Sequence, residues 1–237
     1  MSALAQKVLS VMAKRRSAGK GLSETFLAEL CNVVGRADAE ARDRLIAQME
    51  QAGIFRDEIC DIYIPEAARR MGEDWSEDRM SFAEVSIRSA RLQAMLRDLE
   101  KDDGDDVKRG DQSIMVISFE THTLGAMVLT ARLRRSGASV CLMMGRTEAE
   151  LEKAVSGTDF DGIFLSVSQA DDLTVVSRII ETLRGVKLDK SPLIVGGGVV
   201  ENGIDAALRL TGADHVTDDL MVALELCGCV IERADRK

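Results

Sequence analysis

Short apolar runs alternating with stretches of helical periodicity fill the second half of this 237-residue chain, and that alternation constrains its fold more than any other feature. SIMVISF (113–119) reads as a buried strand, and THTLGAMVLTARLRRSG as a helix ending at Gly137. ASVCLMM (138–144) is a second strand and TEAELEKAVSG a second helix. FDGIFLSVS (160–168) and DDLTVVSRIIETLRG form a third pair. SPLIVGGG (191–198) is a fourth strand running into a glycine turn, followed by a short helix, ENGIDAALRLTG. ADHVTDD supplies a short fifth strand and LMVALELCGCVIER a last helix. Strands this short that recur with helices between them must be joined by crossovers, which gives a doubly wound parallel sheet with helices on both faces. Such sheets bind ligands at the carboxyl ends of their strands.

Upstream the pattern is wholly helical. SETFLAELCNVV (23–34) opens on Ser23, a candidate N-cap, and ADAEARDRLIAQMEQAG (37–53) ends at Gly53. FRDEICDIYIPEAARRMG (55–72) keeps helical spacing, with Pro65 expected to start or kink it. SFAEVSIRSARLQAMLRDLEK (81–101) is a long amphipathic helix with Ser81 and Glu84 placed as a capping box. These segments predict a bundle of four or five helices. The charged, glycine-containing stretch KDDGDDVKRGD (101–111) reads as an exposed linker between a helical domain at 1–103 and an α/β domain at 112–237. In a chain poor in aromatic residues, Trp75 and Phe82 stand out between the last two helices.

The charge of −9 excludes a direct hold on DNA, because phosphate binding needs a basic surface; a gene-regulatory role would have to run through another protein. No apolar run reaches the length of a membrane span. At the N-terminus the basic residues follow the apolar stretch, the wrong order for a secretory signal, so a cytoplasmic location without membrane contact is expected. Cys31, Cys60, Cys141, Cys227 and Cys229 show no CxxC or zinc-finger spacing, and are expected to be buried, reduced thiols.

Three polar or glycine-rich signals fall at strand ends. Glu120-Thr121-His122-Thr123-Leu124-Gly125 follows the first strand, Ser166-Val167-Ser168 closes the third and Gly196-Gly197-Gly198 closes the fourth. Each alone has a bland explanation. A histidine after a strand more often caps a helix than binds metal, Ser-x-Ser commonly caps the next helix, and a triple glycine marks a tight turn.

In order and spacing, with 40 residues between Gly125 and Ser166 and 27 between Ser168 and Gly196, they resemble the cobalamin-binding signature Asp-x-His-x-x-Gly, Ser-x-Leu, Gly-Gly. The resemblance covers nearly all of 113–237. The helical segment before it resembles the cap of methionine synthase and of the corrinoid photoreceptors. It implies an α/β fold: a four- to five-helix cap, then a Rossmann-like (flavodoxin-like) five-stranded parallel sheet that takes up the cofactor's nucleotide tail. His122 would be the lower axial ligand of cobalt. A ligating histidine usually gives its other ring proton to a carboxylate, here Glu120, one carbon longer than the family's aspartate. Thr121, Thr123 and Leu124 would flank it, and Gly125 would let the helix start pass close to the tail. Ser166 would hydrogen-bond the tail base, with Val167 beside it and Ser168 in place of the family's leucine. Gly196, Gly197 and Gly198 would leave room for the tail. Trp75, Phe82 and Val85 would lie on the upper face of the corrin. Val85 and Ser86 stand where the photoreceptors carry a Glu-His pair, so hydroxo- or aquocobalamin is expected in preference to adenosylcobalamin. His215, the other histidine, is expected to be structural.

GEDWSEDRMSFAEVSIRSARLQ most resembles the AerR/PpaA-type antirepressors of purple photosynthetic bacteria, through Trp75, Ser81-Phe82, Val85 and Arg91-Leu92-Gln93. That likeness implies a non-enzymatic, light-responsive regulator acting on a DNA-binding transcriptional repressor of the CrtJ/PpsR type. The alternatives are a corrinoid methyl carrier serving two methyltransferases, a haem-binding sensor, and a ligand-free relative that works by protein contact alone.

Overall fold

The computed structural model describes residues 22–101, 112–119, 123–186 and 191–228. It contains two compact units that change over between Leu99 and Glu100. Of the expected linker at 101–111, Lys101 belongs to the last helix of the first unit, and 102–111 lie outside the described residues.

The first unit is helical: α1 (Glu24–Gly35), α2 (Ala39–Gln51), α3 (Arg56–Glu58), a π-helical turn (Ile59–Tyr63), α4 (Ile64–Ser76) and α5 (Phe82–Lys101). Local chemistry accounts for most of the ends. Asp38 caps α2 by accepting from the Ala41 amide, and Gly53 ends that segment with φ +82°. The expected capping box at α5 is present, with the Ser81 amide donating to Glu84 at 3.0 Å and the Glu84 amide to the Ser81 hydroxyl at 3.3 Å. Ser23 starts α1 without a side-chain cap bond; its amide donates to the Tyr63 hydroxyl at 2.9 Å instead. Pro65, expected to start or kink the helix, stands in the first turn of α4, where its missing donor is tolerated. The helical path runs from Arg56 to Ser76, because the widened turn bonds the Ile64 amide back to the Ile59 carbonyl just before the proline, which has no donor to contribute.

Leu27, Leu30, Leu45, Met49, Ile59, Ile64, Met71, Leu92 and Leu96 are the largest fully buried side chains of this unit, each contributing about 2 kcal/mol through removal from water. Arg91 donates to the Val34 carbonyl at 2.8 Å, satisfying an acceptor in the last turn of α1. Two residues of the Arg91-Leu92-Gln93 run thus have structural work, one in the core and one tying α5 to α1.

The second unit is a five-stranded, all-parallel sheet with helices: β1 (Ser113–Ser118), α6 (Thr123–Arg135), β2 (Ser139–Met144), α7 (Glu148–Ser156), β3 (Gly162–Ser166), α8 (Leu173–Gly185), β4 (Leu193–Gly196), a 3-10 turn (Gly198–Asn202), α9 (Ile204–Thr211), β5 (His215–Val216) and α10 (Leu220–Leu226). The strand order is β2-β1-β3-β4-β5. Ile114 to Ile117 are almost wholly inaccessible, which is why the interior strand β1 reads as an unbroken apolar run. Two cores sandwich the sheet. Met115, Ile117, Ile163 and Leu165 face one containing Val176, Ile180 and Leu183, and Ile114, Val116, Phe164 and Ile194 face the other, with Ala126, Leu133 and Leu224. The last helix is shorter than its apolar pattern suggests: it stops at Leu226, and Gly228 takes φ +68°.

Candidate functional site

Three strands of the second unit end in one row. Ser118 of β1 is in register with Ser166 of β3, and Ser166 with Gly196 of β4. The chain order reverses between β1 and β3, since β1 leads outward to β2 and β3 to β4; the point where they diverge is the crevice that doubly wound sheets use for ligands. Glu120, Thr121 and His122, which follow β1, lie outside the described residues. Thr123 begins α6, Leu124 is half-buried, and Gly125 is exposed one turn into the helix. A Cβ on Gly125 would meet the Ser166 hydroxyl at 3.4 Å, so the first helix and the end of β3 converge on one point. Ser166 is half-buried, and among the described residues its hydroxyl has no protein partner.

The triple glycine is a close backbone contact. A Cβ on Gly196 would collide with the Thr217 carbonyl, and one on Gly197 would fall 2.7 Å from the Val167 carbonyl, where φ is +99°. A Cβ on Gly198 would come within 3.3 Å of the Gln169 amide. Hydrogen bonds lock the same contact, with the Val167 amide donating to Gly196 at 2.9 Å and the Val199 amide to Val167 at 3.2 Å. These glycines are required by the protein's own packing. Side chains could not enter, so the loops after β3 and β4 form a single body.

Ser168 is also committed locally. Its hydroxyl accepts from the Ala170 amide at 3.2 Å, and its amide donates to Asp171 at 2.7 Å. Gln169 reaches across to Glu201 in the 3-10 turn at 2.6 Å. Asp172 caps α8, and the Thr174 hydroxyl, with its amide, holds that carboxylate below its usual range. Gln169, Asp171, Glu201 and Thr217 therefore shape the rim of the crevice, although sequence reasoning did not single them out. Asp171, three residues after Ser168, could have been found as a turn former; Thr217 could not, because it acts through its carbonyl after a different strand.

The remaining candidates belong to the helical unit. Trp75, in the last turn of α4, is 46% exposed, and Phe82, at the start of α5, is 71% exposed. Their ring centroids are 6.3 Å apart at an interplanar angle of 56°, a tilted aromatic pair. The link between them is tightly built: Asp78 takes φ +56°, and the amides of Arg79 and Met80 both donate to the Asp74 carbonyl. Val85 is half-buried one turn along.

His215 is half-buried in β5, in register with Ile194. The cysteines correct one expectation. Cys60 is buried and Cys31 and Cys227 are half-buried, but Cys141 is exposed, because β2 is an edge strand whose outer side has no cover. Cys229 lies outside the described residues. All four described cysteines are free thiols, and burial pushes that of Cys31 up. Among the described residues no helix is long and apolar enough to cross a membrane.

No protein-family model matches the chain. A curated protein of Rhodobacter capsulatus, the uncharacterized 20.5 kDa protein in the bchF-crtJ intergenic region, is 32% identical over 186 residues, covering 77% of this chain and 96% of that one. Among solved structures, the monomethylamine corrinoid protein of Methanosarcina barkeri has a TM-score of 0.67 at 14% identity, covering 86% of this chain and 97% of its own. A cobalamin-binding protein from Desulfitobacterium hafniense DCB-2 has a TM-score of 0.44 at 15% identity, covering 85% and 97%. The Methanosarcina likeness establishes a shared fold.

Proposed function

The chain belongs to the family of the Rhodobacter capsulatus bchF-crtJ intergenic protein, and from that premise we propose that it is a cobalamin-binding antirepressor. One observation carries the cofactor reading: the Ser166 hydroxyl, without a protein partner among the described residues, beside exposed Gly125 where β1 and β3 diverge. This is a polar anchor with open backbone next to it at the ligand-binding end of the sheet. The residues present suit a corrinoid nucleotide tail: a hydroxyl for the heteroaromatic base, and a glycine over which it can pass. His122 is the residue we assign to cobalt, through a neutral ring nitrogen, with Glu120 holding the opposite ring proton. Bound cobalamin would supply a light-sensitive cobalt centre at His122. The rim residues Ser168, Gln169, Asp171 and Glu201 keep the β3 and β4 loops in one position, so the slot is preformed.

The regulatory part of the proposal draws on the location of the relative, whose gene lies next to crtJ, and on the charge of −9. An acidic protein suits binding to the basic surface of a DNA-binding repressor, for which it would compete with operator DNA. The fold shared with a corrinoid protein of methylamine metabolism favours a second reading, a methyl carrier without light response.

The test is the absorbance spectrum of full-length protein after incubation with hydroxocobalamin and gel filtration, in the dark and after light, for wild type and His122→Ala. Wild type is expected to retain the corrinoid with a spectrum that light alters, and the variant to lose the signature of axial nitrogen. If neither protein retains corrinoid, the cofactor assignment is wrong. If wild type retains it but light changes neither spectrum nor affinity for a CrtJ/PpsR-type repressor, the methyl-carrier reading replaces the regulator.

A further inference from the structure

β2 is an edge strand, and its outer side is unpaired among the described residues. The Ser139 amide donates to Gln112 and the Gly145 amide to Ser118, so odd-numbered residues turn their backbone groups toward β1. In a parallel ladder alternate residues bond to alternate sides. Val140, Leu142 and Met144 therefore turn N–H and C=O outward. The strand Ser-Val-Cys-Leu-Met-Met carries none of the features that usually blunt an edge: it has no lysine, no proline and no bulge in its register with β1. Alternate side chains are exposed as well, Cys141 among them and Met144 at 41%, while Val140, Leu142 and Met143 are half-buried against the cores.

We propose that a second copy of this chain pairs with this edge, β2 against β2, antiparallel about a two-fold axis through Leu142. A two-fold contact needs a self-complementary surface, and this edge is one. In that register Leu142 lies opposite Leu142 of the second copy, and Val140 opposite Met144. Every outward N–H meets an outward C=O, and each opposed pair exchanges both bonds. Cys141 comes to face Met143 of the second copy, covering the exposed thiol. The charges at the two ends select the same orientation. The basic last turn of α6 (Arg132, Arg134, Arg135) leads into β2, and the acidic first turn of α7 (Glu148, Glu150) follows it. Antiparallel docking brings the basic end of one copy to the end of the other that carries Glu148 and Glu150, which also pair with Arg178 and Arg146 of their own copy, whereas parallel docking sets the two basic ends together. The proposal does not depend on the cofactor.

Sedimentation equilibrium of the full-length chain tests it, with twice the chain mass expected for wild type. Met144→Pro removes one outward donor and no bond to β1, and Cys141→Lys places a charge at the contact. Both positions are accessible, so the circular dichroism should be unchanged, while each variant weakens the dimer by about tenfold or more. Register is tested by Met143→Cys. Opposed residues in a non-hydrogen-bonded pair lie about 4.5 Å apart between Cα atoms, within disulfide range, so this variant should form a covalent dimer with Cys141 of the second copy on oxidation. A wild type that stays monomeric up to its solubility limit, or a dimer that both edge variants leave intact, overturns the proposal.

Discussion

The helical unit and the α/β unit hold their candidate site residues by opposite means. In the α/β unit the rim of the crevice is backbone packed against backbone: Gly197 against Val167, Gly196 against Thr217, Gly198 against Gln169. No side chain there can swing aside to relieve a clash. In the helical unit the Trp75–Phe82 pair stands exposed on a short link, and the neighbouring surface is laced by ion pairs between long side chains, Arg70 with Glu24 and Glu66, and Arg69 with Glu66 and Glu73. Those partners are solvated and replaceable. One unit offers a fixed rim; the other offers an adjustable surface. Glycine illustrates the contrast, because the same substitution should act in opposite directions in the two units.

Gly197→Ala should have the largest effect. It combines a left-handed φ with a collision against the Val167 carbonyl, and a loss of about 3 kcal/mol in denaturant unfolding is expected. A loss below about 1 kcal/mol would mean that the β3 and β4 loops can move apart, and the contrast between the units would fail. Ser166→Ala comes next. It should leave unfolding almost unchanged and weaken hydroxocobalamin binding by roughly five- to tenfold, the value of one hydrogen bond; unchanged affinity by equilibrium titration removes Ser166 from the site. Gly72→Ala has the reverse sign. Gly72 lies inside α4, and a Cβ added there would meet nothing within 4 Å, so about 0.7 kcal/mol of added stability is expected from the helix alone.

Arg70→Ala should be smaller still, because Glu24 is exposed, Glu66 keeps Arg69 as a partner, and surface pairs contribute little. The smallest effect is on pH dependence. Glu24 is held below its ordinary value chiefly by Arg70, Glu84 by Ser81 and Glu150 by Thr147. A carboxylate whose folded pKa is lowered stabilises the fold above its unfolded value, and that contribution disappears as pH falls through the folded one. Thermal unfolding should therefore weaken slightly below the ordinary carboxylate range, and Glu84→Gln should flatten that decline.

Trp75 gives a separate way to sharpen the comparison, since it is the chain's single tryptophan. The family resemblance assigns Trp75, Phe82 and Val85 to the upper side of a corrinoid. Addition of hydroxocobalamin should then quench tryptophan fluorescence, and a signal that stays constant while cofactor binds would restrict the ligand to contacts with the α/β unit.

Much of the fold was legible from local chemistry. Ser81 and Glu84 marked the start of α5, and an apolar run marked each strand from β1 to β4. Pro65 marked the first turn of α4, where a missing donor costs little, but not that a π-helical turn leads the helical path into it without a gap. The site was legible as a set of strand-end residues. Ser166, Gly125 and Gly196 do converge. What sequence spacing did not contain was the reason for the glycines, because the atoms they admit belong to Val167, Gln169 and Thr217 in other loops.

The sequence by itself determined the order of elements, their caps and the parallel character of the sheet, since periodicity and capping act over three or four residues. Tertiary structure alone decided which strands are neighbours. The order β2-β1-β3-β4-β5 places Ser118, Ser166 and Gly196 in one row, carries Thr217 to the glycine turn and leaves Cys141 at an open edge. Those outcomes depend on crossovers and on contacts between residues far apart in the chain, which local patterns do not encode.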